Sequence, residues 1–314
     1  MLLSIIIPLL NEEGNIDLLI SKLQLHLAAL GVSYEVILIN DGSTDATEKL
    51  LAVHAKLDGR LKVINFKRNF GQTAALMAGI DHAKGDILIP MDGDLQNDSK
   101  DIRALLNKLD EGFDVVSGWR KDRKDSEWRT MPSRIANRFI SWISGVHLHD
   151  YGCTLKAYRR EVITDVRLYG EMHRFIPIYS SWQGGKVTEI VVTHHPRIHG
   201  KSKYGMGRIF KVVLDMIVVK FMADYATKPI YVFGSFGLFN ILLSVLASIA
   251  ALYLKLFAGT SFISTPLPLL VVLTFLTGVL SILMGLMAEI SMRTYHESQN
   301  KSVYLIKNTS NLED

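Results

Sequence analysis

The sequence predicts an α/β domain built on a largely parallel sheet, followed by a hairpin of two membrane-spanning helices. Three observations lead there. Short β-rich runs alternate with amphipathic helical stretches through the first half of the chain. Charges recur every few residues from Met1 to Lys228, whereas Pro229 to Met292 holds only Lys255 and Glu289. Finally, 48% hydrophobic against 21% charged residues raises the mean hydropathy to +0.20, too apolar for a wholly water-soluble enzyme of 314 residues.

The strands come first. Ser4 to Pro8, Tyr34 to Ile39, Leu61 to Asn65, Asp86 to Pro90 and Asp114 to Ser117 are β-rich and stop at polar turn residues. Between them lie helices expected at Ile16 to Leu30, closed by Gly31, at Thr44 to Leu57, at Gln72 to Ala83, and at Asp101 to Leu109, closed by Gly112. A further helical segment is expected from Ser133 to Ser144, with α/β material to about His195. Residues 1–200 thus form the globular domain. Gly207 to Phe221, inside a connecting segment at 201–228, is amphipathic, with Arg208, Lys211 and Asp215 on one face. It suits a helix in the headgroup plane, or one packed on the globular domain.

Two spans fill 229–292. Ile230 to Leu254 carries no charge and Leu267 to Ile290 only Glu289. At about 1.5 Å per residue each exceeds the roughly 30 Å hydrocarbon core. Arg208, Lys211, Lys220 and Lys228 precede the hairpin, Arg293, Lys301 and Lys307 follow it, and the connecting loop offers only Lys255. The positive-inside rule therefore makes the globular domain, both termini and the tail at 293–314 cytoplasmic. The Asn308-Thr309-Ser310 sequon then has no meaning for glycosylation. No secretory signal is expected, because the apolar run after Met1 has no basic flank. The single cysteine, Cys153, excludes an intrachain disulfide framework and a cysteine-rich zinc module. Gly234, Ser235, Gly237, Gly278 and Gly285 are small residues through which spans could meet, the expected route to a homo-oligomer.

In an open α/β sheet, ligands gather at the carboxyl ends of the strands. Three polar loops fall there: Asn11-Glu12-Glu13, Asn40-Asp41-Gly42-Ser43-Thr44-Asp45 and Asp92-Gly93-Asp94-Leu95-Gln96. Each alone reads as a turn with a helix cap, Asn11 and Ser43 or Thr44 being the caps. Together they would repel one another unless a metal or a donor-rich ligand sat among them. Two carboxylates one residue apart can hold a hard divalent cation, and Gly93 would let backbone approach the ligand. The constellation favours a nucleotide diphosphate bound through a cation. His147, His149, His194 and His195 lack the partners of a zinc site and read as surface or packing residues.

These motifs resemble those of inverting glycosyltransferases with the GT-A fold, in the group containing dolichyl-phosphate mannose synthases and polyprenyl-phosphate glycosyltransferases. The resemblance rests on Ile6-Ile7-Pro8 with Asn11-Glu12, Asn40 to Asp45, Arg68-Asn69-Phe70-Gly71-Gln72, Ala83-Lys84-Gly85-Asp86, Asp92 to Gln96, Ser117-Gly118-Trp119-Arg120, and Arg197 with Gly200 to Tyr204. With the hairpin it covers nearly the whole chain, and it is greatest to bacterial bactoprenol (undecaprenyl-phosphate) glucosyltransferases. Asn40 departs from the pattern, since many relatives carry a second aspartate there.

The resemblance implies a role for each matching residue. Pro8, Glu12 and Asp41 would contact the nucleoside and Asp92 the ribose or diphosphate. Asp94, with Gln96 and Asp92, would hold Mg²⁺ or Mn²⁺. Arg120 and Arg134 would bind the acceptor phosphate, Arg197 and Lys203 the donor diphosphate or the acceptor. Asp150 would orient the acceptor or act as a weak base. Arginine's planar fork suits phosphate oxygens, and joining a sugar diphosphate to a lipid phosphate gathers several anions. The implied reaction is inverting transfer of glucose from UDP-glucose to polyprenyl phosphate at a bacterial inner membrane, with no nucleic-acid partner. GDP-mannose as donor, a processive polysaccharide synthase and a non-catalytic flippase partner are the alternatives. The synthase reading lacks its Gln-x-x-Arg-Trp motif.

Overall fold

The computed structural model describes residues 1–121, 137, 140–141, 144–163, 172–196, 230–298 and 305–312. The chain forms two compact units, Met1–Lys220 with Ser302–Asp314, and Phe221–Lys301. The connecting segment at 201–228 and most of the helix expected at 133–144 lie outside the described residues.

In the first unit β1 (Leu2–Leu9), α1 (Ile16–Ala28), β2 (Ser33–Asn40), α2 (Thr47–Leu57), β3 (Leu61–Phe66), α3 (Gln72–His82), β4 (Ile87–Pro90), α4 (Ile102–Asp110) and β5 (Val115–Trp119) follow the expected alternation. β6 (Lys156–Arg159), α5 (Ile176–Trp182) and β7 (Val187–Val191) complete the N-terminal part. The sheet runs β7-β5-β6-β4-β1-β2-β3 and ends on β8 (Ile306–Ser310). Strands β3, β2, β1 and β4 are mutually parallel, while β6 runs antiparallel to both β4 and β5.

Parallel strands covered on both faces need apolar residues on both, so Ile5-Ile6-Ile7 and Val36-Ile37-Leu38-Ile39 run without alternation. Leu3, Ile5, Ile7 and Leu9 share one core with α1, α2 and α4, whereas Ile6, Ile37 and Ile39 meet α3 on the other face. Helix α3 lies close because its inner face is small, with Ala74, Ala75, Ala78 and Gly79 buried. A Cβ on Gly79 would collide with Ile6.

At the strands' amino ends a buried polar knot fixes the register. The Glu35 carboxylate accepts from Ser4 Oγ at 2.5 Å and from the Lys84 amide at 2.6 Å, and pairs with Lys62. Burial pushes its pKa up, but these donors leave it below the usual glutamate value. The Gly85 amide donates to Ser4 Oγ at 2.8 Å, and a Cβ on Gly85 would strike that oxygen. The Ala83-Lys84-Gly85-Asp86 motif is thus part of the scaffold.

Strand β8 comes from the segment read as a tail. It pairs antiparallel with β3, setting Asn308 opposite Asn65. A chain of amides crosses the sheet there. Asn40 Nδ2 donates to Asn65 Oδ1 at 2.8 Å, and Asn65 Nδ2 to Asn308 Oδ1 at 2.8 Å. Asn311 closes the end by donating to the carbonyls of Ala55 (2.6 Å) and Leu61 (2.9 Å). Asn40 at this position is thus engaged within the sheet, as a donor to Asn65.

The second unit contains α6 (Ile230–Phe257) and α7 (Leu267–Ser298), antiparallel helices long and apolar enough to cross a membrane. They pack through small residues. A Cβ on Gly237 would lie 2.7 Å from the Gly278 carbonyl oxygen, and one on Gly278 2.8 Å from that of Gly237. Ser244 Oγ bridges to the Val271 carbonyl at 3.0 Å, and Ser244, Ala247, Ala251, Thr274 and Ser281 are buried. Large side chains such as Leu246, Ile249, Leu273 and Leu280 point outward. Small and polar inside with large and apolar outside suits lipid rather than water. Gly237 and Gly278 are therefore used within the hairpin and are not free to join two copies.

Replacing Asn65 by Ala leaves the Asn40 amide unpaired in a buried position. Asn65→Ala should lower the unfolding free energy by about 1–3 kcal/mol, read as a fall in melting temperature of the purified protein.

Candidate active site

The three acidic loops leave the carboxyl ends of β1, β2 and β4, and the first two are laced together. The Asn11 amide donates to Ser43 Oγ (2.9 Å), the Thr44 amide to Asn11 Oδ1 (2.8 Å), the Glu12 amide to Thr47 Oγ1 (3.0 Å) and the Ala46 amide to Glu13 Oε2 (2.8 Å). Asn11, Ser43 and Thr44 are thus ties between loops. Helices α1 and α2 have no side-chain cap. Glu12 is held from its own loop by Asn15 Nδ2 at 2.6 Å, and Pro8 lies within β1.

Asp41 is 4% exposed and faces the Arg68-to-Gly71 loop. Its carboxylate accepts from the amides of Phe70 (2.7 Å) and Gly71 (3.0 Å). Burial outweighs these bonds and leaves its pKa raised. Gly42, at φ +68°, presses on the same loop, where a Cβ would lie 2.5 Å from the Asn69 nitrogen. The second and third strand-end motifs are one unit.

In the β4 loop, Asp92 Oδ1 accepts from Gln72 Nε2 at 3.0 Å, and Asp94, 8% exposed, accepts from the Gln96 amide at 3.2 Å. Between Asp94 and Gln96, Leu95 adopts φ +62°, a left-handed conformation costing roughly 1–2 kcal/mol for a side-chain-bearing residue. Its buried side chain holds the turn. Gly93 serves packing, because a Cβ there would drive into Leu9. The loop is zipped to the segment after β7. The His195 amide donates to the Gln96 carbonyl at 2.9 Å, His195 Nε2 meets Asp98 Oδ2 at 3.1 Å, and Asn97 bridges His194. Asp92, Asp94 and Gln96 offer an all-oxygen donor set on a strained turn, which fits a hard divalent cation. Among the described residues no group of three or more His, Cys, Asp or Glu side chains converges into a cage. A cation here would therefore be completed by water and diphosphate oxygens, as magnesium commonly is.

Beside this loop lies a buried basic cluster. Arg120 grips Asp150 with two nitrogens, Nε to Oδ2 at 2.7 Å and Nη2 to Oδ1 at 3.0 Å, and the Gly152 amide adds a bond to Asp150 Oδ1 at 3.1 Å. Burial alone would lower the Arg120 pKa, but the Asp150 charge carries it above the ordinary arginine value. Asp92 is near enough to add to that effect. Lys156, on β6 and 2% exposed, donates to the carbonyls of Tyr151 (3.2 Å) and Cys153. Burial lowers its pKa to about 8. His173 Nδ1 meets Thr73 Oγ1 at 2.7 Å, next to Arg174. Lys156, His173 and Arg174 fall in none of the motifs read from the sequence; the one signal in it is a charge inside the apolar strand run Leu155-Lys156-Ala157-Tyr158.

His149 stacks on Trp119 at 4.2 Å and pairs with Glu189, and His147 is exposed. Cys153 is fully buried, its thiol pushed up to about 11 by burial, which makes it unreactive. Arg134, Arg197 and Lys203 lie outside the described residues.

A four-strand parallel sheet carrying an Asp-x-Asp turn at its carboxyl edge, extended by an antiparallel strand, is the GT-A arrangement, and the protein is a glycosyltransferase. Residues 4–167 match Glycosyl transferase family 2, and the chain belongs to that family. It is 42% identical over 319 residues to the dodecaprenyl-phosphate galacturonate synthase of Rhizobium johnstonii, covering 97% of this chain and 92% of that one. It is 34% identical over 308 residues to the undecaprenyl-phosphate 4-deoxy-4-formamido-L-arabinose transferase of Pseudomonas paraeruginosa, covering 98% and 89%. Among solved structures, glucosyl-3-phosphoglycerate synthase from Mycobacterium tuberculosis, in complex with Mn²⁺, UDP and phosphoglyceric acid, shares the fold. Its TM-score is 0.56 at 17% identity, over 69% of this chain and 78% of that one.

Arg120 and Asp150 neutralise each other in a buried place, so removing either strands the other's charge. Arg120→Met and Asp150→Asn should each cost about 3–5 kcal/mol. In urea unfolding the double variant should cost less than the sum of the two.

Proposed function

We propose that the protein transfers a sugar from a nucleotide diphosphate sugar to a polyprenyl phosphate at the membrane surface, inverting the anomeric carbon. The observation that carries this reading is the meeting of an acidic loop, Asp92 to Gln96, with the buried cations around Arg120. A reaction between two phosphate-bearing substrates needs a cation-holding site and fixed positive charge side by side. The whole-chain likeness to two polyprenyl-phosphate sugar enzymes supports the acceptor. It also favours galacturonate or 4-deoxy-4-formamido-L-arabinose over the glucose expected from sequence.

Asp94, Asp92 and Gln96 would hold Mg²⁺ or Mn²⁺, whose charge offsets that of the leaving nucleoside diphosphate. Pro8, Glu12 and Asp41 border the nucleoside, Asp41 through the loop amides it organises. A phosphate oxygen of the lipid bonds to the anomeric carbon as the bond from that carbon to the diphosphate oxygen breaks, and the electron pair leaves with the nucleotide. A phosphate monoester is mostly dianionic near neutral pH, with a second pKa of about 6, so no strong base is required. Asp150, already accepting from Arg120 and Gly152, serves as the orienter of Arg120 rather than as a base. Arg120 and Arg134 hold the acceptor phosphate, and Arg197 with Lys203 the donor diphosphate or the acceptor.

The hairpin anchors the enzyme in the bacterial inner membrane. Pairing of β8 with β3 supports an even number of crossings, with the catalytic domain and the chain after α7 on one side. The flanking Lys and Arg make that side cytoplasmic.

Purified protein incubated with polyprenyl phosphate, Mg²⁺ or Mn²⁺ and a panel of labelled UDP- and GDP-sugars, glucose and mannose included, should form a charged glycolipid with at least one donor. A panel that yields none overturns the reading. Chelation should abolish product and either ion restore it, and Asp94→Ala should lower kcat by at least about 100-fold. In oriented vesicles, a thiol reagent should reach Lys307→Cys from the cytoplasmic face and Ser261→Cys only from the opposite face.

A further inference from the structure

Lys156 is a buried ammonium with no carboxylate against it among the described residues. Its hydrogen bonds go to two backbone carbonyls, Tyr151 and Cys153, which leaves one of its three N–H donors over. A buried charge whose neighbouring carboxylate, Asp150, is already taken by Arg120 costs several kcal/mol, a cost tolerated where the charge has a use. It lines a small cavity, roughly the size of a water molecule, with Pro90, Gly152, Thr154, His173 and Arg174. Pro90 closes β4 immediately before the Asp92 loop. Gly152 stands between two guanidinium groups, since a Cβ there would lie 3.2 Å from Arg120 Nη2 and 3.4 Å from Arg174 Nη1. Asp150, which also borders Gly152, is engaged by Arg120. Cations thus converge from β6, from the end of β5 and from the short helix at Met172–Phe175.

We infer that Lys156 and Arg174 form a subsite for an oxyanion of a substrate, either a carboxylate on the donor sugar or the phosphate of the acceptor lipid. The inference rests on the transfer reaction proposed above, and it adds a specificity determinant to that reaction. A neutral sugar with a neutral neighbour would leave Lys156 sharing the Asp150 carboxylate that Arg120 already engages. A uronate carboxylate or the lipid phosphate supplies a counter-charge, through charge-assisted hydrogen bonds.

The test has a binding arm that does not depend on turnover. Millimolar sodium galacturonate or inorganic phosphate should raise the melting temperature of the full-length protein, while galactose should not. The rise should vanish in Lys156→Met and Arg174→Gln and survive in Lys156→Arg. No rise with either anion, or a rise unchanged in both neutral variants, overturns the subsite. The kinetic arm compares UDP-galacturonate with UDP-galactose, which differ at C6 alone, with undecaprenyl phosphate as acceptor. A rise in KM of about 10- to 100-fold in Lys156→Met, the worth of a hydrogen bond to a charged group, assigns the anion. Confined to UDP-galacturonate, it is the donor carboxylate; seen for the lipid with either donor, it is the acceptor phosphate. A fall in kcat with every KM unchanged makes Lys156 a structural pin and overturns the inference. Absence of product from the unaltered protein with every donor counts against the transfer reaction, while the binding arm still decides the subsite.

Discussion

The site depends on one constraint, that β3, β2, β1 and β4 run parallel and are buried on both faces. Parallel neighbours end at the same edge, so every loop leaving a carboxyl end is delivered to one line on the surface. Because β1 and β2 are apolar on both sides, their burial pattern alone does not choose a register, and the Glu35 bonds to Ser4 and Lys84 at the amino ends set it. The lacing of Asn11 to Ser43 and Thr44, and of Asp41 to Phe70 and Gly71, then follows from proximity. Local strain at Leu95 is held by this packing, and Leu95 sits in the loop proposed to hold the cation.

Charge is arranged by position. The net charge of +4 averages acids on one edge against cations beside them. Asp92 and Asp94 lie on the turn, while Arg120 follows β5 and Lys156 lies on β6. Arg120 is neutralised by Asp150, and among the described residues Lys156 hydrogen-bonds to carbonyls alone. That asymmetry gives the cluster surplus positive charge in a low-dielectric place, where it acts on a nearby anion far more strongly than a surface lysine would.

The hairpin and the sheet obey opposite solvents. In the sheet, large apolar residues are inside and polar ones outside; between α6 and α7 the small and polar residues are inside. Without a hydrophobic drive between helices in lipid, close backbone approach at Gly237 and Gly278 and the Ser244 bridge supply the attraction. The chain after the hairpin then returns to the catalytic unit as β8. It covers the exposed edge of β3, which would otherwise be open to pairing with another chain.

Much of this was legible in the sequence. Apolar runs bounded by turn residues fixed β1 to β5 and α1 to α4 to within a few residues, since burial on both faces leaves an unmistakable pattern. The hairpin followed from the missing charges, and the Asp92 loop from its place after a strand. Tertiary structure decided the rest. Strand β8 has one apolar residue, Ile306, and owes its conformation to the β3 edge, not to its own composition. The packing of Gly93 against Leu9 is not visible in the Asp92 loop's own residues. Arg120 and Asp150 are thirty positions apart, and Lys156 looks like an ordinary strand residue. Periodicity records which side of an element is buried, but it does not record which distant charge is buried beside it, so the partners of the site's cations emerged only when β4, β5 and β6 were brought together.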